Sequence, residues 1–163
     1  MLAAYHDKSC DSQSLFAPYR IAEEKDYEKY LNQYRGIHLD ITMFTTQKKT
    51  VSITTSIHEQ ITEELRNIYP EVLNESDKNL PYALAQINDV TGDRFVVIID
   101  EWDAIFRESR YNTQAQKEYV DLLRGLFKSD LSKRFIALAY MTGILPIKKY
   151  NMSRRSIILT SSR

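Results

Sequence analysis

The chain has 163 residues, and its 22 Lys and Arg balance 22 Asp and Glu, so bulk charge gives no support for a nucleic-acid or membrane-surface role. One cysteine, Cys10, excludes an internal disulfide framework and any multi-cysteine metal site, and the three scattered histidines (His6, His38, His58) lack metal-ligand spacing. No run of about 18 apolar residues offers a membrane span, and no basic-then-apolar leader opens the chain, so the expectation is one cytoplasmic domain with room for a buried core.

Residues 1–6 (Met-Leu-Ala-Ala-Tyr-His) read as the last turns of a helix that starts before this sequence does. Residues 23–35 place Tyr27, Tyr30, Leu31 and Tyr34 at helical spacing, which predicts an amphipathic helix closed by Gly36. Ile37 to Phe44 reads as a strand with Asp40 in its second half. From Thr50 to Tyr69 the apolar positions Val51, Ile53, Ile57, Ile61, Leu65 and Ile68 predict a helix, with Pro70 just beyond it. Asn79 to Val90 predicts a shorter helix with Pro81 in its first turn and Gly92 past its end. Leu73–Asn79 and Ser109–Thr113 read as polar loops.

Phe95-Val-Val-Ile-Ile99 is a continuous apolar run, the pattern of a strand buried on both faces of a parallel sheet. Asn112 to Lys128 follows as a helix with Tyr119, Leu122, Leu123, Leu126 and Phe127 on its apolar face, and residues 135–143 form a second apolar strand ending in Thr142-Gly143. Two buried strands joined through a helix make a βαβ unit. The predicted order sets strands 37–44, 95–100 and 135–142 parallel, with 95–100 in the middle.

The strand at 95–99 delivers Asp100 and Glu101 to its C-terminal end, the edge where open α/β sheets bind ligands. Two adjacent carboxylates oppose joint ionisation, and a Mg²⁺ shared with substrate phosphates relieves that repulsion. A Walker B element is one reading: Asp100 would hold Mg²⁺ and Glu101 would orient or deprotonate an attacking water. Plain solvated or helix-capping acids are the other. The residues alone leave the two about even.

The ordered series Met1-Leu-Ala-Ala-Tyr5, Leu39-Asp40-Ile-Thr42, Ile98-Ile-Asp100-Glu101-Trp102-Asp103-Ala-Ile-Phe-Arg107, Glu118-Tyr119, Leu122-Leu-Arg-Gly-Leu-Phe-Lys128 and Ala137-Leu-Ala-Tyr-Met-Thr142-Gly-Ile-Leu-Pro-Ile-Lys-Lys-Tyr150 resembles the AAA-type ATPase-like domain of predicted bacterial and archaeal P-loop ATPases. Members of that family often carry a restriction-endonuclease-like domain further along. The resemblance implies an α/β fold with a parallel, three-layer P-loop-NTPase-like sheet and helices on both faces. It implies use of ATP and Mg²⁺, favours the Walker B reading of Asp100 and Glu101, and puts Thr142 where a polar sensor residue stands. A simple turn out of the strand explains Thr142-Gly143 equally well. For Asp103 the expectation is a helix cap rather than support of Asp100, and for Asp40 a structural hydrogen bond.

One part of the family pattern is missing. The four glycines (Gly36, Gly92, Gly125, Gly143) include none followed by lysine, so no Gly-x-x-x-x-Gly-Lys-Ser/Thr loop occurs. In the family that loop precedes the segment matching Met1–Tyr5, which predicts a core (1–150) incomplete at its N-terminal strand, as a truncation or frameshift would leave it. The loop's backbone N–H cradle, its lysine and its Mg²⁺-binding hydroxyl would then be absent. Residues 151–163 depart from the family and predict a flexible tail, with the basic cluster Lys148, Lys149, Arg154, Arg155 and Arg163 read as solvated. Loss of the first strand would leave 135–142 at an exposed edge open to the missing segment or to self-association. The expected function is a truncated ATPase-like domain that does not turn over by itself, or else a non-catalytic interaction module.

Overall fold

A computed structural model describes residues 1–46, 52–108, 112–144 and the backbone of 157–160. In chain order the elements are α1 (Leu2–His6), α2 (Gln13–Phe16), a 3₁₀ turn (Arg20–Glu23), α3 (Tyr27–Tyr30), β1 (Arg35–Asp40), α4 (Ile41–Thr45), α5 (Ile53–Ile68), α6 (Leu80–Thr91), β2 (Phe95–Asp100), α7 (Ala104–Glu108), α8 (Thr113–Phe127), α9 (Ser132–Phe135), β3 (Ile136–Thr142) and β4 (Ile157–Thr160). The sheet runs β1-β2-β3-β4 and every pair is parallel, with β2 between β1 and β3 as the sequence predicts.

The three long helices form where the apolar period predicts them, and each starts on a side-chain cap. Ser52 accepts from Thr55 N at 3.2 Å, Asn79 from Tyr82 N at 3.3 Å and Asn112 from Ala115 N at 3.1 Å. Gly92 ends α6 at φ 75°, a left-handed cap that glycine adopts without strain. These helices pack on one face of the sheet through Ile57, Ile61, Leu84, Ile87, Tyr119 and Leu123, against Ile37, Leu39, Phe95, Val97, Ile99 and Met141. Full burial of each such aliphatic or aromatic side chain contributes roughly 1.5–3 kcal/mol, so this layer carries most of the stability.

Helices flank the opposite face less completely. Gly36 and Val96 lie side by side there, and α1 closes over them: a methyl on Gly36 would press on the Asp7 carboxylate, and Val96 is fully buried. On the same face Leu138, beside Val96, is only partly covered, and one step higher His38 is exposed while Ile98 and Tyr140 are partly covered. Beside α1 sits a small second core of Tyr5, Phe16, Tyr27 and Leu31.

Three local expectations need correction. Residues 23–35 do not form one helix; a single turn, Tyr27–Tyr30, is followed by Asn32 at φ 53°. The Asn32 amide donates to Ala4 O at 3.0 Å and Asp7 O at 2.8 Å, which holds it in that left-handed conformation and stops the helix. Gly36 lies inside β1 rather than ending a helix, and β1 stops at Asp40 instead of Phe44. Asp40 turns the chain because its carboxylate caps α4, accepting from Thr42 N at 2.9 Å. The open edge expected at β3 is also occupied: β4, within the expected tail, pairs with Ala139–Thr142. Thr50, Val51 and Ser109 to Tyr111 lie outside the described residues, as do Lys148, Lys149, Arg154, Arg155 and Arg163.

Candidate functional site

Parallel strands bring their C-terminal ends to one edge, and the register sets Asp40 directly opposite Asp100. Ile99 pairs with Met141, so Asp100 and Thr142 end neighbouring strands. The Thr142 hydroxyl donates to Asp100 Oδ1. The same oxygen accepts from Glu101 N at 3.1 Å, and Glu101 N also lies 3.4 Å from Thr142 Oγ1. Asp100, Glu101 and Thr142 therefore form one contiguous group. Asp40 contributes little toward this group, since its Oδ1 is engaged by Thr42 N and by the Thr42 hydroxyl at 2.6 Å. The structural role expected for Asp40 is the one its geometry has.

The turn after β2 is tightly built. Glu101 sits at φ 49°, uncommon for a residue with a side chain and of a kind that costs on the order of 1 kcal/mol unless its surroundings enforce it. Here they do. Trp102 N donates to Thr142 O at 3.0 Å, and the buried Trp102 ring meets Phe106 edge-on at 5.7 Å. Gly143 leaves no room for a methyl, which would collide with Asp103 Oδ1 and the Trp102 ring.

Asp103 is fully buried. Its Oδ1 accepts from Ile144 N at 3.2 Å, and its Oδ2 lies 3.1 Å from Arg107 Nε. It thus joins the exit of β3 to α7. Arg107 extends the connection, because its Nη2 donates to Glu101 Oε2. Nearby, Tyr119 is buried with no hydrogen-bond partner for its hydroxyl, and its phenol is pushed up by burial and then by the charge of Asp103.

Arg107 is the member of this group that the sequence reading does not single out. Its signal was present: Asp103 and Arg107 are four apart, the spacing at which oppositely charged side chains meet on a helix.

The donor set limits what the edge can hold. No cluster of three or more His, Cys, Asp or Glu side chains gathers for a metal among the described residues. One exposed carboxylate and one hydroxyl suit a Mg²⁺ that takes its remaining ligands from water and phosphates, and they do not suit an all-protein cage. A phosphate cradle of the Gly-rich type is not encoded in these residues.

A family model described as "Predicted AAA-ATPase" matches residues 1–153. The chain belongs to this AAA-ATPase-like family. The family loosely implies use of a nucleotide with Mg²⁺. No curated protein and no solved structure matches the chain. Among the described residues no helix is long and apolar enough to cross a membrane.

Proposed function

We propose that these residues supply the Walker B half of an ATP-hydrolysing module, with the phosphate-gripping loop contributed by another segment. The observation that carries this reading is the meeting of Asp100, Glu101 and Thr142 at the adjacent C-terminal ends of β2 and β3. Asp100 would hold the Mg²⁺. When bound, that ion would offset the charge that develops on the nucleotide phosphates. Glu101 would orient the attacking water through its carboxylate. The Thr142 hydroxyl, one hydrogen bond from Asp100, would sense either the terminal phosphate or that water.

Acting alone, the 163 residues favour the second reading, a non-catalytic interaction module with an ATPase-like shape. The observation behind it is the absence of any Gly-x-x-x-x-Gly-Lys-Ser/Thr sequence. Phosphoryl transfer depends on positioning and charge stabilisation, and that loop provides much of both. Calorimetry with Mg-ATP on the purified chain is expected to give no appreciable binding, and a phosphate-release assay no turnover. Joining a Gly-rich loop segment ahead of Met1 is expected to create binding, with Glu101→Gln then abolishing turnover only. Micromolar binding and Glu101-dependent hydrolysis by the unaltered chain would overturn the two-part reading. Failure of the loop-bearing chain to bind would overturn the nucleotide site itself.

A further inference from the structure

We propose that Asp103 and Arg107 form a relay that positions Glu101 for its task, with Arg107 as the positioning residue and buried Asp103 as its anchor. The inference rests on the ATPase reading above and assigns within it roles that the motif alone does not give.

The argument starts from burial. The Asp103 side chain has no solvent exposure, Arg107 is 31% exposed and Glu101 37%. A carboxylate out of water must be paired and hydrogen-bonded to remain charged. Asp103 takes a hydrogen bond from Ile144 N and is ion-paired with Arg107, whose Nε lies 3.1 Å from Oδ2 in a geometry that makes no hydrogen bond, so the pairing is one of charge. The guanidinium is planar and offers adjacent donors in fixed directions. With its Nε side drawn to buried Asp103 by charge, the guanidinium presents Nη2 to Glu101 Oε2.

A glutamate carboxylate otherwise rotates about several bonds. Here one oxygen is engaged by Arg107, and the other would be the one that takes the water. The left-handed backbone at Glu101 works to the same end, because Glu101 N is fixed on Asp100 Oδ1 while its side chain is fixed on Arg107. Two carboxylates with different tasks, Asp100 toward a cation and Glu101 toward a water, are thereby held apart in direction although adjacent in sequence. Lysine could not replace Arg107. A single ammonium lacks the rigid fork that reaches both carboxylates in a set geometry.

The relay is tested in two arms. In the first, ¹⁵N NMR of the purified 163-residue chain follows the Arg107 Nε–H. It is expected to shift in Glu101→Gln, a variant that leaves the buried Asp103 ion pair intact. In the second, the loop-bearing chain is assayed with Mg-ATP. Arg107→Gln is expected to lower kcat on the order of 10–100-fold with KM little changed, the pattern of a misplaced group rather than lost binding. Arg107→Lys is expected not to rescue it, and melting curves control for folding. An Arg107 signal indifferent to Glu101→Gln, or a wild-type kcat in Arg107→Lys, overturns the relay. Absence of hydrolysis by the loop-bearing wild type, with Arg107 still reporting on Glu101, instead overturns the ATPase reading and reduces the relay to a structural ion pair.

Discussion

The two ends of the sheet both carry clustered charge, yet they use it differently. At the N-terminal end, Asp93 gathers the Lys8 ammonium, the Tyr69 hydroxyl at 2.5 Å and, more distantly, Arg35 at 3.9 Å. Arg35 Nε also donates to the Tyr69 oxygen at 3.1 Å, and its guanidinium lies 5.8 Å from the centre of that ring. One acid faces two bases there, and the cluster ties the first residues of the chain to the start of β2. At the C-terminal end the balance reverses: Arg107 is shared by two acids, Glu101 and Asp103, while Asp40 and Asp100 are held by hydroxyl and backbone N–H donors. Under the proposed function, Asp100 at this edge is where a cation would sit, whereas the neutralised Asp93 cluster is a fastening.

The largest effect should come where the site meets the core. Gly143→Ala pushes a methyl into Asp103 and the Trp102 ring, and overpacking of this kind costs about 1–3 kcal/mol. Thermal melting is expected to drop by roughly 2–4 °C for each kcal/mol at this chain length. A melting point equal to wild type would mean that the turn after β3 has slack, and the positional argument for Thr142 would weaken with it.

The fastening end comes next. Asp93→Asn leaves Lys8 and Arg35 without their counter-charge and is expected to cost about 1–3 kcal/mol at neutral pH. Burial by itself would raise the Asp93 carboxyl, but hydrogen bonds from Lys8 and Tyr69 and the charges of Lys8 and Arg35 bring it below its ordinary value of 3.8. A depressed acid stabilises the fold above its unfolded value and loses that contribution as pH falls through the folded value. The gap between wild type and Asp93→Asn should therefore close below about pH 3.8. In the same cluster the Tyr69 phenol is pushed up to about 12 by burial and by Asp93, so it stays protonated as the donor.

A smaller effect separates the helical face from both ends. His58 accepts from Leu80 N through Nδ1 at 3.0 Å, and burial lowers its pKa below the ordinary 6.5. A depressed base binds its proton less readily when folded, so stability should fall as pH drops below about 6.5. Glu118 and Asp121 line the same cavity of about 310 Å³ as His58. His6 is lowered by burial too and adds an effect of the same sign. Urea denaturation at pH 7 and pH 5 is expected to show a smaller pH loss in His58→Gln than in wild type. Equal losses would remove His58 from the acid response.

Much of this fold is legible in the sequence because period and register are local. The spacing of Ile57, Ile61 and Leu65, the run Phe95–Ile99 and the caps at Asn79 and Asn112 each specify an element within a few residues of chain. The helix predicted at 23–35 fails for a non-local reason: Tyr27 and Leu31 bury against Tyr5 and Phe16, while Asn32 reaches back to Ala4 and Asp7. No window of sequence contains that information. The Lys8–Asp93 pair, 85 residues apart, is invisible for the same reason. The grouping of Asp100 with Thr142 became predictable only once two strands were set parallel and adjacent. The link from Asp103 through Arg107 to Glu101 needed a helix of five residues whose phase local propensity does not fix.

The smallest expected effect on stability belongs to the residue with the largest proposed role. In Asp100→Asn the side chain keeps an oxygen to accept from the Thr142 hydroxyl and from Glu101 N, the contacts Asp100 makes in the fold. The side chain is exposed, so no buried donor loses its partner. Removing one negative charge also eases repulsion with Glu101 and with Asp40 in the neighbouring strand. The expected change is within about 0.5 kcal/mol, as for other exposed substitutions, and its sign could favour the variant. A neutral or stabilising result is what the proposed role of Asp100 predicts. In the loop-bearing chain the same variant is expected to lose Mg²⁺-dependent nucleotide binding. Equilibrium denaturation of the two chains in parallel decides the point. A loss for Asp100→Asn as large as that for Asp93→Asn would make the C-terminal edge a second fastening, and the contrast between the two ends would collapse.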